Sequence, residues 1–524
     1  MLREQVDETG FPQSDVDRVL VARLWRRAGE TVLAHRSLEA VTAGGNAADL
    51  SAYETARLWL EAGNVGRGAR AYWHACSATD DAARAEIAWD LMAVSTPEER
   101  SQWDTLRPGA ATCEWLRRFW AERARLMAIS RDERLAVHFQ RLAHARDQYW
   151  IPRPRFMESM ADRHGRPAGL AIDDRGLIYV RMGPPLTSGN FGSTGDAVEG
   201  FDAATLSTCW PYLRASGYRI YCFAQGAGRA DGDYRLLQGI GGVPGDGFFQ
   251  KYVVNSDLPQ NIKAGLVRGR GLAARSAVRD ESEREMDAVE AGRYDRGVVL
   301  ATRRFADEAL KSIPDAPAIR STAALRFEAL RFLNRQSGRW QVWLLASVRA
   351  GDLSRSSDGE SRTVDAGGRF AVLVSDRLVV DSFPSVSLEA GAIPPGSGLG
   401  LLGVLEAESG PLPFTVVVED LNAPGAGNWH QDTINVPSIG GLPQLSDIAV
   451  AQAEGGTWTR DGETFLKVTP AHITNPDGSI HTYFEVYGVD PGTRYDVELR
   501  LAPTEAAERI WRLEPDDLGF RLQF

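Results

Sequence analysis

The spacing of apolar residues changes twice along this chain, and the changes divide it. Up to about Leu106 apolar positions recur every three or four residues, which predicts stacked helices. Tyr53, Ala56 and Leu60 share a helical face that Gly63-Asn64 ends, and Ser51-Ala-Tyr-Glu54 reads as a capping box. A second helix carries Ala69, Tyr72, Trp73 and Cys76. Thr96-Pro97-Glu98-Glu99 joins a hydroxyl cap, a proline at the first helical position and a glutamate that reaches back, so another helix starts there. Ser130-Arg-Asp-Glu133 repeats the cap ahead of Leu135, Phe139, Leu142 and Tyr149.

The period then shortens. In DRGLIYVRMGPP (Asp174 to Pro185) a turn at Asp174-Arg175-Gly176 leads into alternation, with Leu177, Tyr179 and Arg181 facing one way and Ile178, Val180 and Met182 the other. This predicts a half-buried strand that Gly183-Pro184-Pro185 stops. Trp210-Pro211-Tyr212 and YRIYCF (Tyr218 to Phe223) continue it as a hairpin about the turn RASG (Arg214 to Gly217), with Gly232 to Leu236 following. Helices are expected to roof this sheet. A charged stretch, Ala274 to Ile313, suits a solvated helical connector. From Ala323 onward ALRFEALRFL, GRWQVWLLASV, GRFAVLVSD and FTVVVEDL are strand-like and evenly spaced, as in a β-sandwich. PSIGGLPQLSD (Pro437 to Asp447) has the composition of a linker, and further strands follow to the end.

The expected fold is therefore multidomain α+β. Residues 1–95 form a helical, repeat-like segment, 96–250 an α+β domain with an antiparallel sheet, and 251–315 a charged helical connector. A β-sandwich over 316–436 and a C-terminal β module over 437–524 complete it.

Composition narrows the function classes. Charged residues at 25% and hydrophobic ones at 43% describe an ordinary globular chain, and 524 residues suffice for several cores. A net charge of -11 argues against nucleic acid or an anionic membrane as general partner. No apolar run approaches a membrane span, and MLREQVDETGFPQSD lacks an apolar signal core. Lysine is confined to Lys251, Lys263, Lys311 and Lys467, which reads as GC-rich coding. Four cysteines are too few for a disulfide scaffold, but a turn centred between Ala215 and Ser216 would set Cys209 opposite Cys222, within reach of a bond. Two reduced core cysteines is the other reading.

Candidate chemistry is sparse. His74 and Cys76, two apart on a helix, point to different sides, as do His138 and His144, six apart, so no metal site is expected. The glycine-rich Gly226 to Gly232 precedes a strand rather than a helix, so it reads as a hairpin loop and not a phosphate cradle. No motif calls for a cofactor. The densest polar and aromatic group is Tyr179, Arg181, Trp210, Tyr212, Asp233, Tyr234 and Arg235, which either lines a groove on the sheet or packs beneath the helices.

Two resemblances follow from these residues. The run Asp174-Arg175-Gly176 through Gly183-Pro184-Pro185 resembles the GWxTD domain, a bacterial domain of unknown function that is often exported. Leu170, Ala171 and Asp173 stand where its signature carries Gly, Trp and Thr. FWAERARL (Phe119 to Leu126), RLAHARDQYW (Arg141 to Trp150) and the Trp210 hairpin resemble its flanks, so the likeness covers about Thr96 to Leu237. Leu58 to Cys76 resembles the junction of a tetratricopeptide unit, where small residues let two helices approach. The GWxTD resemblance implies no catalytic residue. The combination of helical, α+β and β-sandwich modules, with no acid and base pair, nucleophile or ligand cluster placed on one face, suits a non-enzymatic binding or scaffolding protein with a protein partner, and the resemblance adds export, to the periplasm or cell surface if a leader is removed, with the cytoplasm as the location otherwise. Two alternatives stay open: a hydrolase with a site assembled from distant residues, for which a glycan is the candidate substrate, and a structural subunit of an envelope assembly. Sequence leaves the oligomeric state open.

Overall fold

The computed structural model describes residues 14–151, 171–191, 207–236, 313–452 and 458–512, with breaks inside these spans. The proposed connector up to residue 312, the Gly226 to Gly232 loop and Asp233 lie outside the described residues. The fold is α+β, with a helical stack first and antiparallel sheets after it.

Among the described residues eight helices form the stack: α1 (Asp15–Arg27), α2 (Thr31–Glu39), α3 (Ala48–Glu61), α4 (Val65–Ala75), α5 (Asp81–Met92), α6 (Pro97–Thr105), α7 (Ala110–Met127) and α8 (Arg131–Gln148). Thr96 and Ser130 cap α6 and α8 reciprocally with Glu99 and Glu133, as their sequences predict. Ser51 does not cap. It lies inside α3, where its hydroxyl donates to the Leu38 carbonyl, because the helix already starts at Ala48. α3 and α4 approach closely at Gly68, where a Cβ would come within 2.5 Å of the Leu60 side chain and 2.9 Å of its backbone nitrogen. One core runs from Tyr53 through Trp120 and Phe139 to Val180, crossing the expected boundary at residue 95.

The expected strand after Asp174 is a helix. α9 (Asp174–Met182) starts where the Asp173 side chain accepts from the Gly176 amide and ends at Gly183, whose φ of 83° a residue with a Cβ adopts only under strain. Leu177 and Val180 join the helical core, while Ile178 faces the sheet β1 (Gly189–Phe191), β2 (Ser207–Arg214), β3 (Gly217–Gln225) and β4 (Tyr234–Leu236). Alternating apolar residues fit this site because both faces of the helix are covered.

Farther on, two sheets pack face to face. One holds β5 (Arg320–Ser321), β12 (Ala426–Val436), β11 (Gly410–Asp420), β8 (Thr363–Val374) and β9 (Arg377–Glu389), in that spatial order. The other holds β10 (Gly398–Ala407), β7 (Trp340–Arg349) and β6 (Leu325–Leu333). Val342, Leu344, Phe370, Val416 and Val418 fill the space between. Each outer face is covered too, which explains the near-continuous apolar runs of β7 and β11. Trp343 and Leu345 meet Ala449 and Tyr483 on one side, and Ala371 and Val417 meet Ala128 on the other. Ala128 ends α7 in the left-handed region at φ 52°, where its buried methyl offsets the conformational cost that glycine would avoid. Over 437–447, where composition suggests a linker, Asp447 pairs with Arg331 of β6 at 2.7 Å.

Candidate functional site

α9 brings the candidate residues together at the junction of stack and sheet, but not as a strand would. Tyr179 and Arg181 lie two apart on a helix and so point to different sides. Arg181 turns inward, buried, and donates to the Ala93 carbonyl at 3.0 Å; burial and nearby Arg123 hold its guanidinium down at about 10. Tyr179 turns toward solvent and stacks on His144 with ring centroids 4.3 Å apart. Trp210 and Tyr212 are buried under α9, Trp210 against Phe223 and Tyr149, and Tyr212 donating to the Gly183 carbonyl at 2.9 Å. Tyr179 still packs, half-buried, against the cluster that holds Trp210 and Tyr212, with Tyr234 beside it, so among the described members of the expected common face only Arg181 is taken away, into the helical stack.

The acids at the start of α9 are spent on the fold. Asp173 caps Gly176 at 3.1 Å and pairs with Arg175 at 2.6 Å. Burial pushes its carboxyl up, against the Arg175 guanidinium and the Gly176 amide. Asp174 accepts from the Leu236 amide at 2.7 Å and so ties the helix to β4. Arg175 lies 3.6 Å over the Tyr234 ring and 5.2 Å over Tyr149. Gly176 has no room for a side chain, since a Cβ would sit 2.9 Å from Ile172 Cβ and 3.1 Å from Tyr149 Cβ. Gly183 is crowded by the Arg141 guanidinium, 2.6 Å from where a Cβ would lie, while Pro184 is exposed. Arg235 belongs to β4, but its side chain, like Asp233, lies outside the described residues.

Above this framework lies an aromatic ridge that periodicity does not reveal. It comprises exposed His144 and half-buried Tyr149 and Tyr179, whose rings meet; Trp150, 56% exposed, follows Tyr149 in the chain. The available signal is QYW (Gln148 to Trp150), two aromatics just past the end of a helix.

A second polar group, also unanticipated, is sealed in the stack. Tyr53 donates to Asp90 at 2.7 Å, and Arg57 bridges Asp90, Glu54 and Glu86. Burial alone would raise the Asp90 carboxyl, but Arg57, Arg146 and the Tyr53 hydroxyl together bring it down to about 2. His138 is fully buried beside Trp120, and neither ring nitrogen has a hydrogen-bond partner among the described residues. Burial, then Arg134, lowers it to about 3, so it is neutral in the fold. Among the described residues no three His, Cys, Asp or Glu side chains are grouped to hold a metal, and no helix is long and apolar enough to cross a membrane.

A disulfide joins Cys76, at the end of α4, to Cys113 in α7, with Cα atoms 5.0 Å apart. The β2–β3 register sets Cys209 opposite Cys222 and Arg214 opposite Gly217. The side chains of Cys209 and Cys222 lie outside the described residues.

A scan against protein-family models finds no match to the chain, and a search of curated proteins finds none either.

Proposed function

We propose that this chain is a non-enzymatic, exported binding or scaffolding protein of the GWxTD type, and that it grips a protein partner at the α9 junction. The observation that carries this reading is the contrast at that junction. Asp173 and Asp174 are both committed to backbone amides, whereas His144, Tyr149, Trp150 and Tyr179 present partly exposed rings. Aromatic side chains of this kind supply much of the energy of protein interfaces.

Asp173 stands where the GWxTD signature has Thr, and either side chain can cap a helix. The Cys76–Cys113 bond supports export, since such bonds persist in oxidising compartments.

Affinity recovery from the native organism with the full chain, alongside Trp150→Ala and Tyr179→Ala variants, tests the proposal. The expected result is a partner retained by the parent, lost by both variants, and bound again when the two proteins are purified and mixed. Recovery of no partner, together with turnover of a glycan or peptide library by the chain, would overturn it.

A further inference from the structure

One face of α8 carries charge and hydrogen-bonding capacity that the fold leaves unmatched. Arg134, His138 and Arg141 follow one another at spacings of four and three residues, which stacks them along a single side of the helix. Arg134 and His138 are fully buried, and both lie against Trp120, with the Arg134 Cζ 5.5 Å and the His138 ring 5.0 Å from its centroid. The Arg134 guanidinium sets Nε and Nη2 against one oxygen of Asp315, at 2.8 and 2.7 Å. Its Nη1 has no hydrogen-bond partner among the described residues, and neither nitrogen of His138 has one. Arg141, half-buried, reaches toward α9, where its guanidinium packs on Gly183 and its Nη1 lies 3.4 Å from the Arg181 carbonyl. Among the described residues no carboxylate forms an ion pair with it. Burial and then the Arg134 charge hold Arg141 down at about 10, with Asp315 acting the other way.

Charge balance points to what this face accepts. Asp315 matches Arg134, and Glu99, 2.7 Å from Arg123, matches that residue. Arg141 remains as an excess positive charge, and a guanidinium does not shed its proton to relieve it. A charge withdrawn from water is unfavourable until a counter-charge meets it. Water would satisfy the free N–H groups but not the charge. A small oxyanion does both, because its oxygens accept from Arg134 Nη1, from a His138 N–H and from Arg141 while its charge offsets the excess.

We propose that the face of α8 formed by Arg134, His138 and Arg141 binds a small oxyanion such as inorganic phosphate. This site is independent of the protein partner assigned to the aromatic ridge.

Inorganic phosphate, titrated up to about 10 mM into the full chain in a chloride buffer of constant ionic strength, tests the proposal. The melting temperature should rise and saturate with phosphate, and should not do so with added chloride. Arg141→Met keeps an unbranched stem against Gly183 and removes the charge. It should melt no lower than the parent in chloride, because an unmatched charge is gone, and should bind phosphate at least tenfold more weakly. A merely structural role for Arg141 would instead lower the melting temperature in chloride. Arg118→Met, at an exposed arginine of α7, is the control and should bind as the parent does. In the parent chain phosphate should also shift the imidazole NMR signals of His138, a readout that needs no variant to fold. Stabilisation no greater than that of chloride overturns the proposal and leaves water to satisfy these groups. Arg141→Met binding phosphate like the parent, or His138 signals that stay still at saturation, would overturn it as well, since either would mean an adventitious ion only, held elsewhere.

Discussion

Arg134 of α8 and Asp315, 181 positions apart, meet at 2.7 Å with both side chains buried. The pair fastens the helical stack to the segment that enters the sandwich, and a second tie is the Arg125 guanidinium of α7, which donates to the Phe414 carbonyl of β11. Removing one partner leaves an uncompensated buried charge. Asp315→Ala should therefore destabilise the chain by about 3–5 kcal/mol, and the double change Arg134→Leu with Asp315→Leu should cost much less. Urea unfolding of the three proteins, followed by tryptophan fluorescence, gives both numbers. If the double variant is no better than the single, the loss is one of packing and not of charge.

The Cys76–Cys113 bond closes a loop with a sequence separation of 37. The entropy withheld from an unfolded chain by a loop of that length corresponds to about 4 kcal/mol. Replacing both cysteines by alanine should lower the urea midpoint accordingly, and a reductant should then have little further effect through this loop. Peptide mapping without reduction should find the linked pair directly; two free thiols in secreted protein would contradict it.

How far sequence could reach depended on the range of the forces involved. The caps at Thr96 and Ser130 are contacts over three residues, so four letters determine them, and both helices begin as read. The sandwich strands were legible because the spacing of turns and apolar runs is local as well. α9 was misread for a physical reason. Leu177, Ile178, Val180 and Arg181 are all buried, so the helix lacks the polar face that reveals a helical period, and its apolar residues happen to alternate. Gly183-Pro184 ends a helix as well as a strand, and Asp173 as a cap was the discriminating signal. The Cys76–Cys113 bond and the Asp90 cluster join positions far apart in sequence, and neither leaves a local trace.

Glycine at position 176 tests the reading of α9. In an open helix Gly→Ala stabilises by up to about 1 kcal/mol, because the unfolded chain loses freedom. At Gly176 the added methyl would meet Ile172 Cβ and Tyr149 Cβ, neither of which is the yielding end of a long side chain. Overpacking should win, and Gly176→Ala should destabilise by about 1–3 kcal/mol. Gly66 in α4 is the control, since a Cβ there meets nothing nearer than the Arg70 guanidinium at 3.9 Å. Its change to Ala should be neutral or stabilising. Thermal melts that rank the two variants the other way would contradict the close packing of α9 on Ile172.

Acid should unfold the stack in two windows, and His138 opens the first. Held at about 3 in the fold against an ordinary 6.5, it stays neutral while the unfolded chain takes up a proton. The stability it contributes is therefore complete above pH 6.5 and declines as the pH falls toward 3, by about 1.4 kcal/mol per unit. The groups that act on it are Arg134, Arg146 and Arg123, which oppose a second positive charge, and Asp90, which favours one. Asp90 acts lower: charged down to about 2 against an ordinary 3.8, it supports the fold fully above 3.8 and is lost as the pH falls through 2. His138→Leu should flatten the dependence of unfolding free energy on pH by one proton between about pH 6.5 and 4.5, leaving the Asp90 window in place. Urea titrations at several pH values measure that slope, and an unchanged slope in the variant would mean that His138 is protonated within the fold.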